Sequence, residues 1–279
     1  MSHVLIAGYG ALGKVVASLL ISAGYQVTAL SRQPKEIPPG IDFIQGDLTQ
    51  IRSDQLPKAI DWVIYCAAAD NHSEEAYTNA YLQGVKQLLN KLQRKPLQGF
   101  FFISSTGVYG QDQGQVVTEG SETKPTQFSG KILLAAEQQV QQSGISHCCL
   151  RFSGIYGPGR TYLLRKICEG GLLAEPGQHF TNRIHIEDGA GFIVHLIQQG
   201  SFLPIYNVSD SKPCLKREVV EWIGTQLGKS FPDEAPTNKV TGKQVSNQRL
   251  LETGYQLKYP DYKAGYTPLL GEYSFRIDT

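Results

Sequence analysis

His3-Val4-Leu5-Ile6-Ala7-Gly8-Tyr9-Gly10-Ala11-Leu12-Gly13 is the stretch on which the fold turns. A short apolar run, 3–8, ends in glycine. Helical spacing follows over 10–23, with Leu12, Val15, Val16, Leu19 and Leu20 on one apolar face and Gly24 as the stop. The glycines form a G-x-G-x-x-G pattern. The first allows a tight turn, the second lets the backbone approach a pyrophosphate, and the third lets helix and strand pack closely. The helix N-terminus adds free N–H groups and a partial positive charge. Alone the pattern is a weak signal. At the first strand-to-helix turn of an alternating chain it reads as a phosphate cradle rather than a plain Gly-rich turn.

The alternation continues outward. Apolar strand patterns occupy 25–30, 41–45, 62–66, 99–104 and 146–152, with helical patterns at 74–92, closed by Lys95-Pro96, and at 131–142. Short continuous apolar strands between amphipathic helices imply a parallel sheet covered on both faces. The expected fold is therefore α/β, a Rossmann-type doubly wound parallel sheet with a smaller C-terminal substrate lobe. Past Phe152 glycines and prolines cluster at Gly154, Gly157, Pro158, Gly159, Gly170, Gly171, Pro176 and Gly177. A helix at 187–199, a strand at 205–208 and a helix at 216–227 follow, then a polar stretch with turns expected at Pro232, Pro236, Pro260 and Pro268. The division expected is a dinucleotide domain at 1–155, to which the chain returns at about 184–208, and a smaller lobe from 156–183 and 209–279.

Composition limits the function. The 279 residues carry 26 Lys+Arg against 25 Asp+Glu, so a net charge of +1 gives no electrostatic case for nucleic acid or an anionic membrane. Hydrophobic residues at 41% and charged residues at 18% are ordinary globular values. The cysteines Cys66, Cys148, Cys149, Cys168 and Cys214 fit no zinc spacing and read as reduced core thiols. There is no H-x-x-x-H or paired-acid motif and no G-x-S-x-G elbow, so no metal is expected. Met1 leads directly into a strand without a cationic leader or an apolar span, so the expected location is the cytoplasm.

The second strand ends at Leu30-Ser31-Arg32, where an NAD site usually places an acid for the ribose 2′-hydroxyl. Arg32 offers a planar fork to a 2′-phosphate instead, with Ser31 as a further donor. NADP is expected ahead of NAD, which stays the second option, and Glu36 is an acid within reach of folding back. The bland alternative is that Arg32 is a solvated surface residue.

Several segments then occur in a telling order: Gly46-Asp47-Leu48-Thr49, Ala67-Ala68-Ala69, Ile103-Ser104-Ser105-Thr106-Gly107-Val108-Tyr109-Gly110, Leu150-Arg151-Phe152-Ser153-Gly154-Ile155-Tyr156-Gly157-Pro158-Gly159, Arg183-Ile184-His185-Ile186-Glu187-Asp188 and Tyr206-Asn207-Val208-Ser209-Asp210. The set resembles an atypical branch of the extended short-chain dehydrogenase/reductases, of the NAD(P)-dependent epimerase/dehydratase type, over nearly the whole chain. The tail from Gly242 to Tyr266 resembles that group's C-terminal segment. The resemblance implies that Gly8, Gly10, Ala11, Leu12 and Gly13 hold the pyrophosphate. Asp47 and Leu48 would then meet the adenine, Ala67 and Ala68 would pass under the ribose, and Phe152, Ser153 and Ile155 would lie near the nicotinamide. It makes Ser105 the catalytic Ser/Thr.

The departures are as informative. Ala7 stands where the family's first loop glycine belongs. The family's Y-x-x-x-K pair places both side chains one turn apart on one helix face. Here Lys131 fits, as the residue expected to hold the nicotinamide ribose, but Gln127 stands in place of Tyr. An amide cannot act as a proton acid or base near neutral pH. Tyr81 stands in place of the family Asn, with Asn79 out of register. A proton would have to come from Tyr81, Tyr109, Tyr156 or water. Arg160, Arg165 and Arg183 are candidates to meet an anionic substrate, though a surface ion pair is as good a reading of each. His185 reads as structural.

The leading expectation is an NAD(P)-dependent oxidoreductase or epimerase/dehydratase acting on a carbonyl or alcohol carbon of a small molecule, a sugar nucleotide being one option. The alternative is a non-catalytic NADP(H)-binding sensor or scaffold. Many relatives pair through outer helices, which makes a homodimer an option by analogy.

Overall fold

The computed structural model describes residues 1–33, 36–93, 96–169, 177–229, 231 and 239–277, with side chains up to 271. Lys95, Gly170, Gly171, Pro176, Pro232 and Pro236, singled out above, lie outside the described residues.

The chain begins β1 (His3–Ala7), α1 (Ala11–Ser22), β2 (Gln26–Ser31), β3 (Ile41–Gln45), β4 (Trp62–Tyr65), α2 (Glu74–Tyr77), a π-helical segment (Thr78–Gln83), α3 (Gly84–Leu92) and β5 (Gly99–Ser105). It continues with β6 (Val116–Val117), α4 (Phe128–Gln142), β7 (His147–Phe152), β8 (Gly154–Tyr156), α5 (Tyr162–Cys168), β9 (Gln178–Thr181), β10 (Arg183–His185), α6 (Ile186–Gln199) and β11 (Ile205–Val208). Last come β12 (Cys214–Leu215), α7 (Lys216–Gln226), β13 (Val240–Gly242), β14 (Gln244–Val245), α8 (Gln248–Glu252) and α9 (Tyr262–Ile277).

Contacts divide the chain into two compact units. The first is Met1–Gly110, Glu122–Arg151 and Ala190–Tyr206; the second is Gln111–Ser121, Phe152–Gly189 and Asn207–Thr279. The first is built on a seven-stranded sheet in the order β11-β7-β5-β4-β1-β2-β3. The pairs β1/β2, β2/β3, β1/β4 and β4/β5 are parallel. Every residue of β1 and β4 is buried, as continuous apolar strands covered on both faces require. The doubly wound expectation holds. One detail of it does not: Leu19, assigned to the inner face of α1, is exposed, while Leu12, Val16, Ala17 and Leu20 carry the contact.

The second unit has its own core of Tyr156, Leu164, Ile167, Val220, Ile223, Tyr266 and Leu269 with their neighbours. Its strands are short: β8 with β10, β9 between β12 and β13, and β14 with β6. The turn expected at Pro268 is a helix, since Pro268 lies inside α9. Proline there removes a hydrogen-bond donor. Burial of Tyr262, Tyr266, Leu269 and Leu270, and the Asp261 carboxylate accepting the Ala264 N–H at 2.9 Å, favour the helix nonetheless. Among the described residues no helix is long and apolar enough to cross a membrane.

Candidate active site

The sheet order reverses at β1, with β2 and β3 on one side and β4 and β5 on the other. In open α/β sheets ligands bind at such a switch point, outside the carboxyl ends of the strands. The three loop glycines do different work. Gly8 has φ +109°, and a Cβ on it would lie 2.3 Å from the Ala67 backbone nitrogen. A Cβ on Gly13 would lie 2.4 Å from the Gly8 carbonyl oxygen. Gly10 is exposed, and a Cβ there would meet nothing within 4 Å. Two glycines are thus demanded by the protein's own packing, and the third faces open space. Gly10 is also the N-cap of α1, with no side-chain cap and no acid in the first turn. The leading N–H groups of a twelve-residue helix are left for an anion. Such a cradle fits a dinucleotide pyrophosphate.

Cys66, which the sequence reading passed over as a core thiol, belongs to this cradle. Its Sγ donates to the Gly8 carbonyl at 2.9 Å. Burial pushes the thiol up to about 12, so it keeps its proton across the physiological range. With the Gly8 oxygen fixed inward, the loop presents donors to a phosphate rather than an acceptor.

Beyond the cradle, Arg32 is not a free cation. Its Nη1 donates to Asp70 Oδ2 at 2.7 Å and its Nη2 to Asp70 Oδ1, a two-pronged pair. The acid that pairs with Arg32 is Asp70, brought from the loop after β4. Ser31, half-buried, accepts the Gly46 N–H through its carbonyl at 3.1 Å. Asp47 Oδ1 accepts from the Thr49 N–H at 2.8 Å and the Thr49 hydroxyl at 2.7 Å, which shapes the turn. Leu48 is buried beside Gly84. Ala67 is half-buried and Ala68 exposed.

Ser105 ends β5. Its Oγ accepts the Gly107 N–H at 3.0 Å, capping a short 3-10 turn, Thr106–Val108. The hydroxyl retains its proton as a donor. The start of α4 differs from expectation. The helix begins at Phe128, three residues early, because Gly130 packs where a Cβ would lie 2.4 Å from the Gly107 carbonyl. Gln127 is outside the helix, an exposed N-cap residue with extended backbone whose carbonyl accepts the Lys131 N–H at 3.1 Å. The buried residues of α4 are Gly130, Ile132, Leu133, Ala136, Glu137 and Val140. Lys131 falls on the opposite, exposed face, and its side chain makes no hydrogen bond or ion pair among the described residues. Its expected ribose-holding role rests on the sequence pattern alone.

The helix expected over 74–92 contains the π-helical segment Thr78–Gln83, where the Gly84 N–H reaches back to the Asn79 carbonyl. The Tyr65 hydroxyl donates to the Ala80 carbonyl within it. Such segments recur at functional sites. The extra residue in the turn shifts the helical phase before Gly84, in the segment that holds Asn79 and Tyr81. Around it lies a row of rings that sequence reading missed. Phe128 meets His72 at 4.9 Å and Tyr77 at 5.5 Å; Tyr77 meets Tyr81 at 5.3 Å; Tyr81 meets Phe102 at 6.4 Å.

A buried network underlies these segments. Arg151 donates to both oxygens of Glu137, through Nη2 at 2.7 Å and Nε at 3.0 Å, and through Nη1 to the Tyr109 hydroxyl at 2.9 Å. The Ser104 hydroxyl donates to Glu137 Oε1 at 2.6 Å. Glu137 is fully buried. Tyr109, a candidate proton donor, is thus buried and engaged by Arg151.

The second unit holds the remaining expected residues. Phe152 is buried against Gly189, Ser153 is buried with its hydroxyl unpartnered, and Ile155 is half-buried in β8. Tyr156 is buried, stacked on Tyr266 at 4.4 Å, with its hydroxyl against Gly265. His185 packs on Tyr259 at 3.9 Å and accepts the Glu187 N–H through Nδ1 at 3.3 Å. Burial lowers it to about 4, so it stays neutral. Arg183 is buried, donating to Cys214 Sγ at 2.8 Å and Thr181 Oγ1 at 2.7 Å. Arg165 faces Glu169 at 3.8 Å, and Arg160 is exposed.

Residues 4–209 match the model of the NAD dependent epimerase/dehydratase family. The chain belongs to this family. The chain is thus an NAD-dependent epimerase/dehydratase-type oxidoreductase. A solved structure from Methylobacillus flagellatus, described as a candidate NAD-dependent epimerase/dehydratase, is 37% identical with a TM-score of 0.85, covering 98% of this chain and 99% of that one. Protein YeeZ of Escherichia coli K12 is 29% identical over 272 residues, 94% of this chain and 97% of its own. A 3-beta-hydroxysteroid dehydrogenase of Mycolicibacterium neoaurum is 25% identical over 298 aligned positions, 93% of this chain and 80% of its own.

Proposed function

We propose that this member of the epimerase/dehydratase family binds NADP(H) in preference to NAD(H) and acts on a carbonyl or secondary alcohol carbon of a ring-containing small molecule. Gly10 carries the reading: it is the one loop glycine that nothing in the protein requires, and it borders the free N-terminus of α1. Gly8, Gly10, Ala11, Leu12 and Gly13 would hold the pyrophosphate, and Arg32 a 2′-phosphate. The nicotinamide, when bound, supplies or accepts the hydride. Ser105 would donate its hydroxyl proton to the substrate oxygen, since its own oxygen is already held by Gly107. The rings of Tyr77, Tyr81 and Phe128 suit a ring face, of a sugar nucleotide or of a flat alicyclic ketone. Five free cysteines, three of them buried, suit a reducing compartment such as the cytoplasm. A homodimer is the assembly we assign by family likeness, to be read by light scattering.

A second reading has its own support. Gln127 and Lys131 are exposed, Tyr109 is committed to Arg151, and Tyr156 is buried under α9. Tyr81, half-buried, is the remaining phenol of the three proposed as donors. Without a built proton relay the chain would bind cofactor without useful turnover. The experiment is a fluorescence titration with NADPH and NADH, followed by absorbance assays at 340 nm on ring ketones and 4-keto sugar nucleotides. Binding with turnover supports the enzyme, binding alone supports the sensor, and no binding rejects both.

A further inference from the structure

Arg32 and Asp70 form a charged pair at the adenosine end of the expected cofactor path, and each group is asked to do something by a different cofactor. The guanidinium lies at the end of β2, where Gln45 Nε2 donates to the Arg32 carbonyl at 3.3 Å. The carboxylate follows Ala67-Ala68-Ala69 after β4. The prongs are Nη1 to Oδ2 at 2.7 Å and Nη2 to Oδ1. The side chains are 52% and 62% exposed, so solvent reaches the pair and an incoming anion can exchange with it. Asp47 adds a second negative charge near Arg32.

NADP differs from NAD by one phosphate on the adenosine ribose. That phosphate needs a cation and is repelled by a carboxylate; the 2′-hydroxyl of NAD needs an acceptor. Arg32 alone would select the phosphate. Asp70 alone would supply the acceptor that the end of β2 lacks. Paired, they offset each other's charge, and only the 2′-phosphate of NADP has to divide them.

We infer that Asp70 is a cofactor-specificity residue that restrains Arg32 and so holds NADP affinity down while leaving the site open to NAD. The inference rests on the reading that the cradle binds a nicotinamide dinucleotide. For NADP to bind, the Arg32 fork turns from the carboxylate to the 2′-phosphate, leaving Asp70 as an anion beside it. For NAD to bind, the pair stays closed, with Asp70 as the nearest acceptor. Two residues from different loops therefore set one preference, and neither determines it alone.

The test is equilibrium titration of wild type, Asp70→Asn, Arg32→Gln and the double variant with NADPH and with NADH, read by cofactor fluorescence. Asp70→Asn is expected to tighten NADPH binding by roughly 3- to 10-fold, the scale of an exposed ion pair plus the lost repulsion, and to change NADH less than about 2-fold or weaken it. Arg32→Gln is expected to weaken NADPH, and in that background Asp70→Asn should no longer tighten it. The Asp70→Asn gain should also shrink as salt is raised, because exposed charges are screened. An unchanged NADPH/NADH ratio in Asp70→Asn, or a gain that persists without Arg32, overturns the inference while leaving dinucleotide binding intact. Failure of wild type and every variant to bind either dinucleotide overturns the underlying reading instead.

Discussion

The phosphate cradle and the start of α4 lie in the same compact unit and are built to different standards. In the cradle two of the three glycines are fixed by the protein's own packing. Gly8 and Gly13 are forced by contacts at 2.3 and 2.4 Å, and Cys66 fixes the Gly8 carbonyl. At α4 the residues standing at the family's Tyr and Lys positions, Gln127 and Lys131, are exposed, and no side-chain bond among the described residues holds Lys131. Only the layer beneath, Glu137 with Arg151 and Ser104, is fully bonded. The cradle's backbone is thus fixed by its own packing, while the Gln127 and Lys131 side chains at the start of α4 are exposed. A fold can keep one half of a site and leave the other to change.

The comparison breaks most sharply at Gly10. Gly10→Val should abolish NADPH binding in a fluorescence titration while the cofactor-free melting temperature holds, because the new side chain enters open space in the free protein. Gly13→Val should unfold or precipitate the protein, since its side chain meets the Gly8 carbonyl. A Gly10→Val protein that binds as wild type would remove the cradle from the account.

The layer under α4 should give the next largest effect. Glu137→Gln leaves Arg151 buried without its counter-charge. The expected loss is about 3–5 kcal/mol in urea unfolding, the usual result of breaking a buried pair from one side. Arg32→Gln, at an exposed pair, should cost less than about 1 kcal/mol in the same measurement.

A pH effect separates the second unit from the first. Burial raises Asp210 to about 7, with Asp188 and Asp261 adding to the rise and Arg183 and the Lys212 N–H opposing it. The folded protein therefore keeps this proton where the unfolded chain has lost it. Wild type should lose stability relative to Asp210→Asn as pH climbs from the ordinary carboxylate range through about 7, and the difference should level off above that. Parallel stability curves from pH 4 to 8 would place Asp210 elsewhere. The smallest effect is expected at Cys66. Cys66→Ala should weaken NADPH roughly 2- to 10-fold, the value of one hydrogen bond, and Cys66→Ser should restore most of it.

The fold was legible where periodicity and local chemistry agree. Residues 205–208 and 41–45 match the observed β11 and β3 end for end. Legibility failed where distant contacts decide. Pro268 reads as a stop, yet α9 continues through it because its aromatic face is buried. The helical pattern read over 131–142 extends back to Phe128, where Gly130 packs against the Gly107 carbonyl. In the site, the glycines declared themselves. Asp70 and Cys66 did not, because their roles depend on where the loop after β4 meets β1 and β2. Tyr109 looked available until Arg151, 42 residues away, was found on its hydroxyl.

The most direct measurement pairs binding and chemistry in one sample: stopped-flow mixing of NADPH-loaded protein with excess ring ketone, for wild type, Gln127→Ala and Lys131→Ala. The account predicts saturable NADPH binding in all three. It also predicts hydride transfer that is slow or undetectable in wild type and unchanged by either substitution. A positioned general acid contributes about 10²–10⁴-fold, so its presence could not be missed. Fast transfer in wild type that falls about 100-fold or more in Gln127→Ala or Lys131→Ala would contradict the account, because the exposed start of α4 would then be the working proton relay.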